Sequence, residues 1–134
     1  FEAALWERLQ SLHRLDAESF AWDASVSSDP RSPQFSMSLG GRAFYVIGVH
    51  PGASRKARRF GCAALVFNLH SQFETLREDG RYEKMRAAIT ERDIAFSGSA
   101  NPMLAEHGEA SEARQYSGRQ VGAQWRCPFS AQGN

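Results

Sequence analysis

Two histidines of the sequence each follow an apolar run that is typical of a buried strand. His50 comes directly after residues 42–49, and His70 comes shortly after residues 63–67. Ligand sites tend to form at strand ends in sheets that carry helices, and imidazole is a common metal ligand. If the two strands are neighbours, both side chains can reach one pocket. Each histidine also fits a simple hydrogen bond that ends its own element, so both interpretations stay open.

A basic cluster follows His50 within a few residues. Four cations occupy five positions, namely Arg55, Lys56, Arg58 and Arg59. Like charges this close repel one another unless water or anions surround them, and arginine binds carboxylates and phosphates through paired hydrogen bonds. The cluster indicates either an anion clamp or a solvated turn paired with neighbouring acidic helices. Nothing extends it with further charge or interleaved aromatic residues, so we do not expect a nucleic-acid surface.

Carboxylates and a third histidine lie in the polar segment 101–119. Glu106, Glu109 and Glu112 fall within seven residues. Such a group can receive a cationic substrate, for example a guanidinium, and a polar surface loop accounts for the same composition. His107 adds a candidate ligand, but the three histidines lack the close spacing of a zinc motif.

Cys127 lies in the motif Trp125-Arg126-Cys127-Pro128-Phe129. A thiolate there can ligate iron or act as a nucleophile, whereas a cysteine beside aromatic rings is more commonly packed in a core. The second cysteine is Cys62, and the pair fits free thiols in a reducing compartment. We therefore expect a cytoplasmic protein, although a single disulfide bridge also fits the sequence.

Composition predicts one soluble domain over residues 1–134. The chain is 42% hydrophobic and 23% charged, with a net charge of +1, which is typical of a globular domain and gives no reason to expect a membrane surface as partner. No apolar stretch is long enough to span a bilayer, and no signal peptide is visible.

Hydrophobic periodicity predicts the α+β class, with a mixed sheet and about three helices packed mainly on one of its faces. Alternation over 35–39 followed by Gly40-Gly41 predicts a hairpin with strand 42–49, and strands 42–49 and 63–67 are predicted to be central. Helices are expected at the start of the chain, from about residue 71 and over 81–93, before a long irregular C-terminal segment. The predicted core consists of Leu5, Leu9, Phe44, Val46, Ile47, Leu65, Val66, Phe67, Phe73, Leu76, Met85 and Ile89.

Several long motifs resemble the YqcI/YcgG family. They read FYVIGVHPGASRKARRF, LVFNLHSQFETLREDGRYEKMR, NPMLAEHGEASEARQYSGR and WRCPF, and FEAALWERLQSLHRLD and VSSDP extend the match over essentially the whole chain. Family proteins carry a further N-terminal segment, so the resemblance implies an N-terminally truncated chain. Members from natural-product pathways look like haem-dependent N-hydroxylases. The resemblance therefore implies a monooxygenase that uses haem b and hydroxylates a guanidine or amine nitrogen of arginine or a related amino acid.

The resemblance assigns the cofactor contacts as follows. His50 or His70 is the axial ligand of the haem iron, with His50 preferred because the basic cluster follows it. A thiolate of Cys127 is the less favoured alternative ligand. The haem propionates or the substrate carboxylate are met by Arg55, Arg58 and Arg59.

The substrate contacts implied by the resemblance lie in the C-terminal segment. Glu109 or Glu112 holds the guanidinium, and Arg114 and Asn101 are further substrate-binding candidates. The catalytic candidates, which donate a hydrogen bond to the bound oxygen, are Tyr116 and Ser117.

The expected partners are an amino-acid substrate, a redox partner and a second copy of the chain, because a missing N-terminal segment would expose a sheet edge. Two alternatives stay open. One is a protein that binds haem or another small molecule without turnover. The other is a metal-dependent hydrolase that uses His50, His70 and His107.

Overall fold

The computed structural model describes residues 1–97 and 110–131, apart from the side chains of Asp93 and Ser97. The elements are α1 (Glu2–Asp16), β1 (Met37–Leu39), β2 (Arg42–Val49), a first 3₁₀ turn (Lys56–Arg58), β3 (Ala64–Leu69), α2 (His70–Glu78), α3 (Tyr82–Ser97) and a second 3₁₀ turn (Glu112–Gln115). The α+β class is confirmed. Within the described ranges, no helix is long and apolar enough to cross a membrane.

The three strands form an antiparallel sheet in the order β1-β2-β3. Gly40 and Gly41 join β1 to β2 with φ values of +63° and +77°, as the predicted two-residue hairpin turn requires. The sequence predicted a mixed sheet, but parallel pairing in the described chain is confined to one bridge between Ser27 and Phe35. Strand β2 is central as predicted, whereas β3 lies at an edge of the described sheet.

The register between β2 and β3 gives the sheet two different faces. Val46 pairs with Phe67, and Tyr45 pairs with Asn68. Side chains alternate along a strand, so the first pair faces one side of the sheet and the second pair the other. The Val46 side carries α1, and the Tyr45 ring lies 6.4 Å from the ring of Phe73 on α2. The helices therefore lie on both faces rather than mainly on one.

The core forms between α1, the sheet and the C-terminal segment. Trp6 of α1 stacks on Tyr116, with ring centroids 5.6 Å apart. The buried apolar cluster consists of Leu5, Trp6, Leu9, Phe35, Met37, Val46, Ala113, Tyr116 and Phe129. Two of these rings come from the irregular C-terminal segment, which therefore builds the core although it has almost no regular secondary structure.

Polar contacts hold the same segment against α1. The Glu2 carboxylate accepts hydrogen bonds from the indole of Trp125 at 2.8 Å and from the guanidinium of Arg119 at 2.5 Å. The Gln10 side chain bonds both backbone groups of Ser130 at 2.9 Å. These contacts join residues more than 100 positions apart and fix the route of the chain back across the first helix.

The predicted core is confirmed only in part. Leu5, Leu9 and Val46 are buried, but Val66 is 43% exposed and Ile89 is 49% exposed. Val66 was placed wrongly because β3 is an edge strand, and Ile89 because α3 borders a wide cavity. The remaining predicted core residues are half-buried, namely Phe44, Ile47, Leu65, Phe67, Phe73, Leu76 and Met85.

Gly48 leaves no room for a side chain between β2 and α1. A Cβ atom there would lie 2.6 Å from the ring of Phe1 and 2.7 Å from Cδ1 of Leu5. We expect Gly48→Ala to lower the free energy of unfolding by about 1–3 kcal/mol, since overpacking forces neighbouring side chains out of their rotamers. Urea denaturation followed by tryptophan fluorescence measures the change. Gly61→Ala is the control, because its Cβ would meet nothing within 4 Å, and an equal loss in both variants would contradict the clash.

Candidate functional site

A large cavity opens between the Tyr45 face of the sheet and helices α2 and α3. Its volume is about 1160 Å³, above the roughly 300–1000 Å³ of typical small-molecule pockets. Apolar side chains of the sheet and helices form part of its lining, including Ile47, Phe73 and Met85. The polar part of the lining includes Arg55, Arg58, Asn68, His70, Glu74, Arg77, Arg86, Glu112 and Gln115. The cavity is thus lined by both apolar and polar side chains.

Two of these polar residues, His70 and Glu112, each stand at the start of a short helical element. His70 is the first residue of α2, placed where β3 ends. Glu112 begins the second 3₁₀ turn, whose N-terminus is capped because Ser111 Oγ accepts a hydrogen bond from Ala113 N at 3.2 Å. In a 3₁₀ turn the side chains three residues apart lie on one face. Glu112 and Gln115 therefore project together, and both line the cavity.

His70 lies between two carboxyl groups. Its Nε2 is 4.0 Å from Oε1 of Glu112, and its Nδ1 is 3.8 Å from Oε1 of Glu74, one helical turn further along α2. A carboxylate facing one ring nitrogen is the arrangement by which proteins orient metal-binding and acid–base histidines. Nε2 is thus the ring nitrogen that faces Glu112, and Nδ1 is the one that faces Glu74.

The carboxyl group of Glu112 is buried next to the core. Its Oε2 accepts a hydrogen bond from the Tyr116 hydroxyl at 2.7 Å, and that hydroxyl accepts one from Met37 N at 3.2 Å. Burial raises the pKa of Glu112 to about 8, although hydrogen bonds from Tyr116 and Ser36 act in the opposite direction. Glu112 is therefore mostly protonated at neutral pH.

The two predicted haem-ligand histidines are far apart. Strands β2 and β3 are antiparallel, with Phe44 opposite Leu69 and Val49 opposite Ala64, so His50 and His70 lie at opposite ends of the strand pair, roughly 20 Å apart at the usual rise per residue. His50 stacks on the ring of Phe1 at 4.3 Å and is absent from the cavity lining. The expectation that both imidazoles reach one pocket is wrong.

Two arginines of the basic cluster, Arg58 and Arg59, donate hydrogen bonds to the backbone. Arg58 donates to the carbonyl oxygens of Gly48 at 3.1 Å and Gln115 at 2.9 Å, and so ties the second 3₁₀ turn to β2. Arg59 donates to the carbonyl oxygen of Ala53 at 2.8 Å. Of the three arginines predicted to bind anions, Arg55 and Arg58 line the cavity and Arg59 does not.

The other predicted substrate and catalytic residues are dispersed. Arg114 donates to the carbonyl oxygens of Val121 and Gly122 and lines a second cavity. The buried hydroxyl of Ser117 accepts from Arg119 N at 3.2 Å and does not reach the large cavity. Three candidates lie outside the described residues, namely Asn101, His107 and Glu109.

Cys127 also borders the second cavity rather than the large one. Burial raises the pKa of its thiol to about 12, which disfavours the thiolate needed to ligate iron. Both cysteines are free thiols. Among residues 1–97 and 110–131, no group of three or more His, Cys, Asp or Glu side chains is placed to hold a metal ion.

The sequence did not identify Tyr45, Glu74 or Gln115 as site residues. Two of them carry a recognisable signal in hindsight. Glu74 is four residues after His70, and Gln115 is three residues after Glu112. The second spacing becomes informative only once the turn is known to be 3₁₀, because no helical pattern marks that segment.

The fold and the cavity define an α+β protein whose sheet packs against the core on one face and borders a large cavity on the other. The chain belongs to the YqcI/YcgG family, whose model matches residues 1–130. No curated protein and no solved structure matches the chain.

Ionisation of Glu112 is expected to destabilise the fold as the pH rises. The carboxyl has an ordinary pKa of 4.5 in the unfolded chain and a pKa of about 8 when folded, so the folded state holds the extra proton between these values. The free energy of unfolding should therefore fall by roughly a few kcal/mol between pH 5 and pH 8. Glu112→Gln cannot ionise, and its urea denaturation over this range should show a smaller fall.

The two proteins differ only at residue 112, so the difference between their pH profiles reports the loss of the Glu112 carboxyl group. Glu7→Gln, an exposed change on α1, is the control and should retain the wild-type profile. Identical profiles for the wild type and Glu112→Gln would contradict the raised pKa.

The two cysteines are expected to react with iodoacetamide at different rates at pH 8. Cys62 is exposed, whereas the thiol of Cys127 is partly buried with a pKa of about 12, and only the thiolate is alkylated. Mass spectrometry of tryptic peptides should find Cys62 labelled well before Cys127. The variant Cys62→Ser should stay almost unlabelled until urea is added, and equal labelling rates in the native protein would contradict this.

Proposed function

We propose that this chain is a haem-dependent monooxygenase that hydroxylates a guanidine nitrogen of arginine or a related amino acid, with haem held in the large cavity by His70. The observation that carries the proposal is the position of His70 in the cavity wall, with Glu112 on one side of the imidazole and Glu74 on the other. Family membership is compatible with this activity and does not by itself define it.

The cavity residues fit the chemistry of haem. Haem is a flat apolar ring that carries two propionates, and it needs an axial ligand, often an imidazole. The volume of about 1160 Å³ and the apolar side chains of Ile47, Phe73 and Met85 suit the ring. Arg55 and Arg86 line the cavity and would meet the propionate carboxylates. Glu74 would orient the ring of His70 from the Nδ1 side.

When bound, haem would supply the activation of oxygen. The chain's own residues bind and orient the substrate. A guanidinium bound at Glu112 would favour the ionised form of this carboxyl group and pair with it, and it would then be held close to His70. Tyr116 acts as a positioning residue, because its hydroxyl is occupied by Glu112 and by the backbone of β1. Placing the guanidine nitrogen is the main contribution of the protein.

The remaining expectations follow from the same proposal. An amino-acid substrate requires no macromolecular partner. A haem monooxygenase needs a source of electrons, so we still expect a redox partner. A homo-oligomer also stays an expectation. The free thiols of Cys62 and Cys127 are compatible with the reducing cytoplasm. The metal-hydrolase alternative loses support, since His50 and His70 lie at opposite ends of the antiparallel β2–β3 pair.

The absorption spectrum of the protein expressed with added haem tests the proposal. We expect a Soret band in the wild type, at least a tenfold weaker haem affinity in His70→Ala, and an unchanged affinity in His50→Ala, which is the matched control outside the cavity. Loss of the band in His50→Ala with retention in His70→Ala would contradict the assignment.

Turnover is tested separately with L-arginine, oxygen and a reductant, followed by mass spectrometry for a product heavier by one oxygen atom. Glu112→Gln should reduce the rate by at least tenfold while leaving the Soret band in place. A Soret band without any hydroxylated product would identify a haem-binding protein without turnover instead.

A further inference from the structure

The guanidinium of Arg77 lies in the wall of the large cavity and has a buried donor without an acceptor. Its side chain is 25% exposed. Its Nη1 is in ion-pair contact with Oε1 of Glu74 but is not aligned for a hydrogen bond with it. Its Nε is buried and has no hydrogen-bond partner among the described residues. Leaving a buried charged donor unpaired is costly, so such a group in a cavity wall points to a bound acceptor.

Tyr82 and Glu74 determine which edge of this guanidinium is open to a ligand. Cζ of Arg77 lies 4.7 Å from the centroid of the Tyr82 ring, so the ring covers one face of the guanidinium. Glu74 occupies the Nη1 corner. The edge formed by Nε and Nη2 has no acceptor among the described residues. That edge offers two N–H groups side by side, which is the arrangement that binds a carboxylate through paired hydrogen bonds.

The cavity wall carries more positive than negative charge. Its described lining contains five arginines, namely Arg55, Arg58, Arg77, Arg86 and Arg92. It also contains Glu74, Glu78 and Glu112, but burial raises the pKa of Glu112 to about 8, so this group is mostly neutral at pH 7. Arg58 donates to backbone carbonyl groups, which have no net charge to balance its own. The electrostatics of the cavity therefore favour an anionic ligand.

Arg77 and His70 lie on the same face of α2. They are seven residues apart, and Glu74 lies between them at the fourth position after His70. Oε1 of Glu74 is 3.8 Å from Nδ1 of His70 and is also the atom that contacts Arg77. At the usual rise of an α-helix, Arg77 is about 10 Å along the axis from His70. A ligand whose reacting end lies next to His70 can thus place a carboxylate at Arg77.

We propose that Arg77 binds a carboxylate of the ligand in the large cavity through its Nε–Nη2 edge. Two sources supply this chemistry, namely the α-carboxylate of an amino-acid substrate and a propionate of haem. The inference rests on the proposed function in one respect, that these two molecules are the ligands of the cavity. Arg77 then anchors the ligand at the end that is remote from His70.

Two matched pairs of ligands test the inference. L-arginine and L-argininamide differ in the α-carboxylate, and their affinities are measured by isothermal titration calorimetry. Haem and haem dimethyl ester differ in the propionates, and their affinities are measured by absorption spectroscopy. We expect Arg77→Gln to weaken the carboxylate-bearing member of one pair by at least about tenfold, as for a lost hydrogen bond between charged groups. The neutral member should change less than twofold, and the pair that responds identifies the source of the carboxylate.

Arg81→Gln is the matched control. Arg81 pairs with Asp79 at 2.8 Å, is mostly exposed and lies outside the cavity lining, so its loss should alter none of the four affinities. Arg77→Lys covers the case in which the glutamine variant folds poorly, because it keeps a positive charge beside Glu74 and Tyr82. Lysine lacks the two-nitrogen edge, so the affinity for the same carboxylate should fall between those of the wild type and Arg77→Gln.

Three results would overturn the inference. They are equal effects on both members of each pair, no effect of either substitution at Arg77, and no wild-type binding of any of the four ligands.

These titrations and the haem proposal fail independently. A Soret band in a protein whose ligand affinities do not depend on Arg77 would refute the carboxylate site and leave the haem proposal standing. A preference for L-arginine over L-argininamide that requires Arg77, in a protein that shows no Soret band, would support the role of Arg77 and refute the haem proposal.

Discussion

The burial of Tyr116 is the contact on which the rest of the structure depends. Its ring is fully buried and stacks on Trp6, which joins the C-terminal segment to the first helix. Its carbonyl oxygen accepts from Gly48 N at 2.7 Å, which joins the same segment to β2. Its hydroxyl holds Glu112. One side chain and its backbone thus tie together the core, the sheet and the polar floor of the cavity.

The two faces of the sheet have different surroundings: one packs against the core, and the other borders the candidate site. One face is closed by α1 and aromatic rings, while the other borders the large cavity, where Glu112 is buried. A buried carboxyl such as Glu112 is tolerated because tyrosine and serine hydroxyls hydrogen-bond to it.

Local sequence patterns predicted the helices and strands well, but they predicted poorly which residues of different elements come into contact. The Gly40-Gly41 hairpin, the bounds of β2 and the three helices follow from turn chemistry and periodicity. The antiparallel direction of β3 could not be predicted, because an apolar run does not show whether its partner strand is parallel or antiparallel. That direction places His70, and not His50, at the cavity. The basic cluster misled for a related reason, since charge spacing does not show that Arg58 turns inward to backbone carbonyls.

The site residues also divide into those that residue type identified and those that depend on contacts between distant parts of the chain. Glu112, His70 and Arg55 were identified from residue type, and all three line the cavity. Tyr45 and Gln115 were missed because their importance comes from one contact between residues 70 positions apart. Arg114, by contrast, lies at the second cavity, because the short turn that carries it directs residues of neighbouring number to different sides.

The contacts between residues 110–131 and α1 also determine the order in which the parts of the molecule can fold. Contacts such as Glu2 with Trp125 and Gln10 with Ser130 span 123 and 120 positions, and closing loops of that length costs entropy before any packing is gained. The hairpin and α1 can form early from local interactions, but the floor of the cavity cannot exist until the C-terminal segment has docked. During synthesis on the ribosome, the cavity is therefore among the last parts of the described structure to form, and the helix face that carries Leu5 and Leu9 stays uncovered until then.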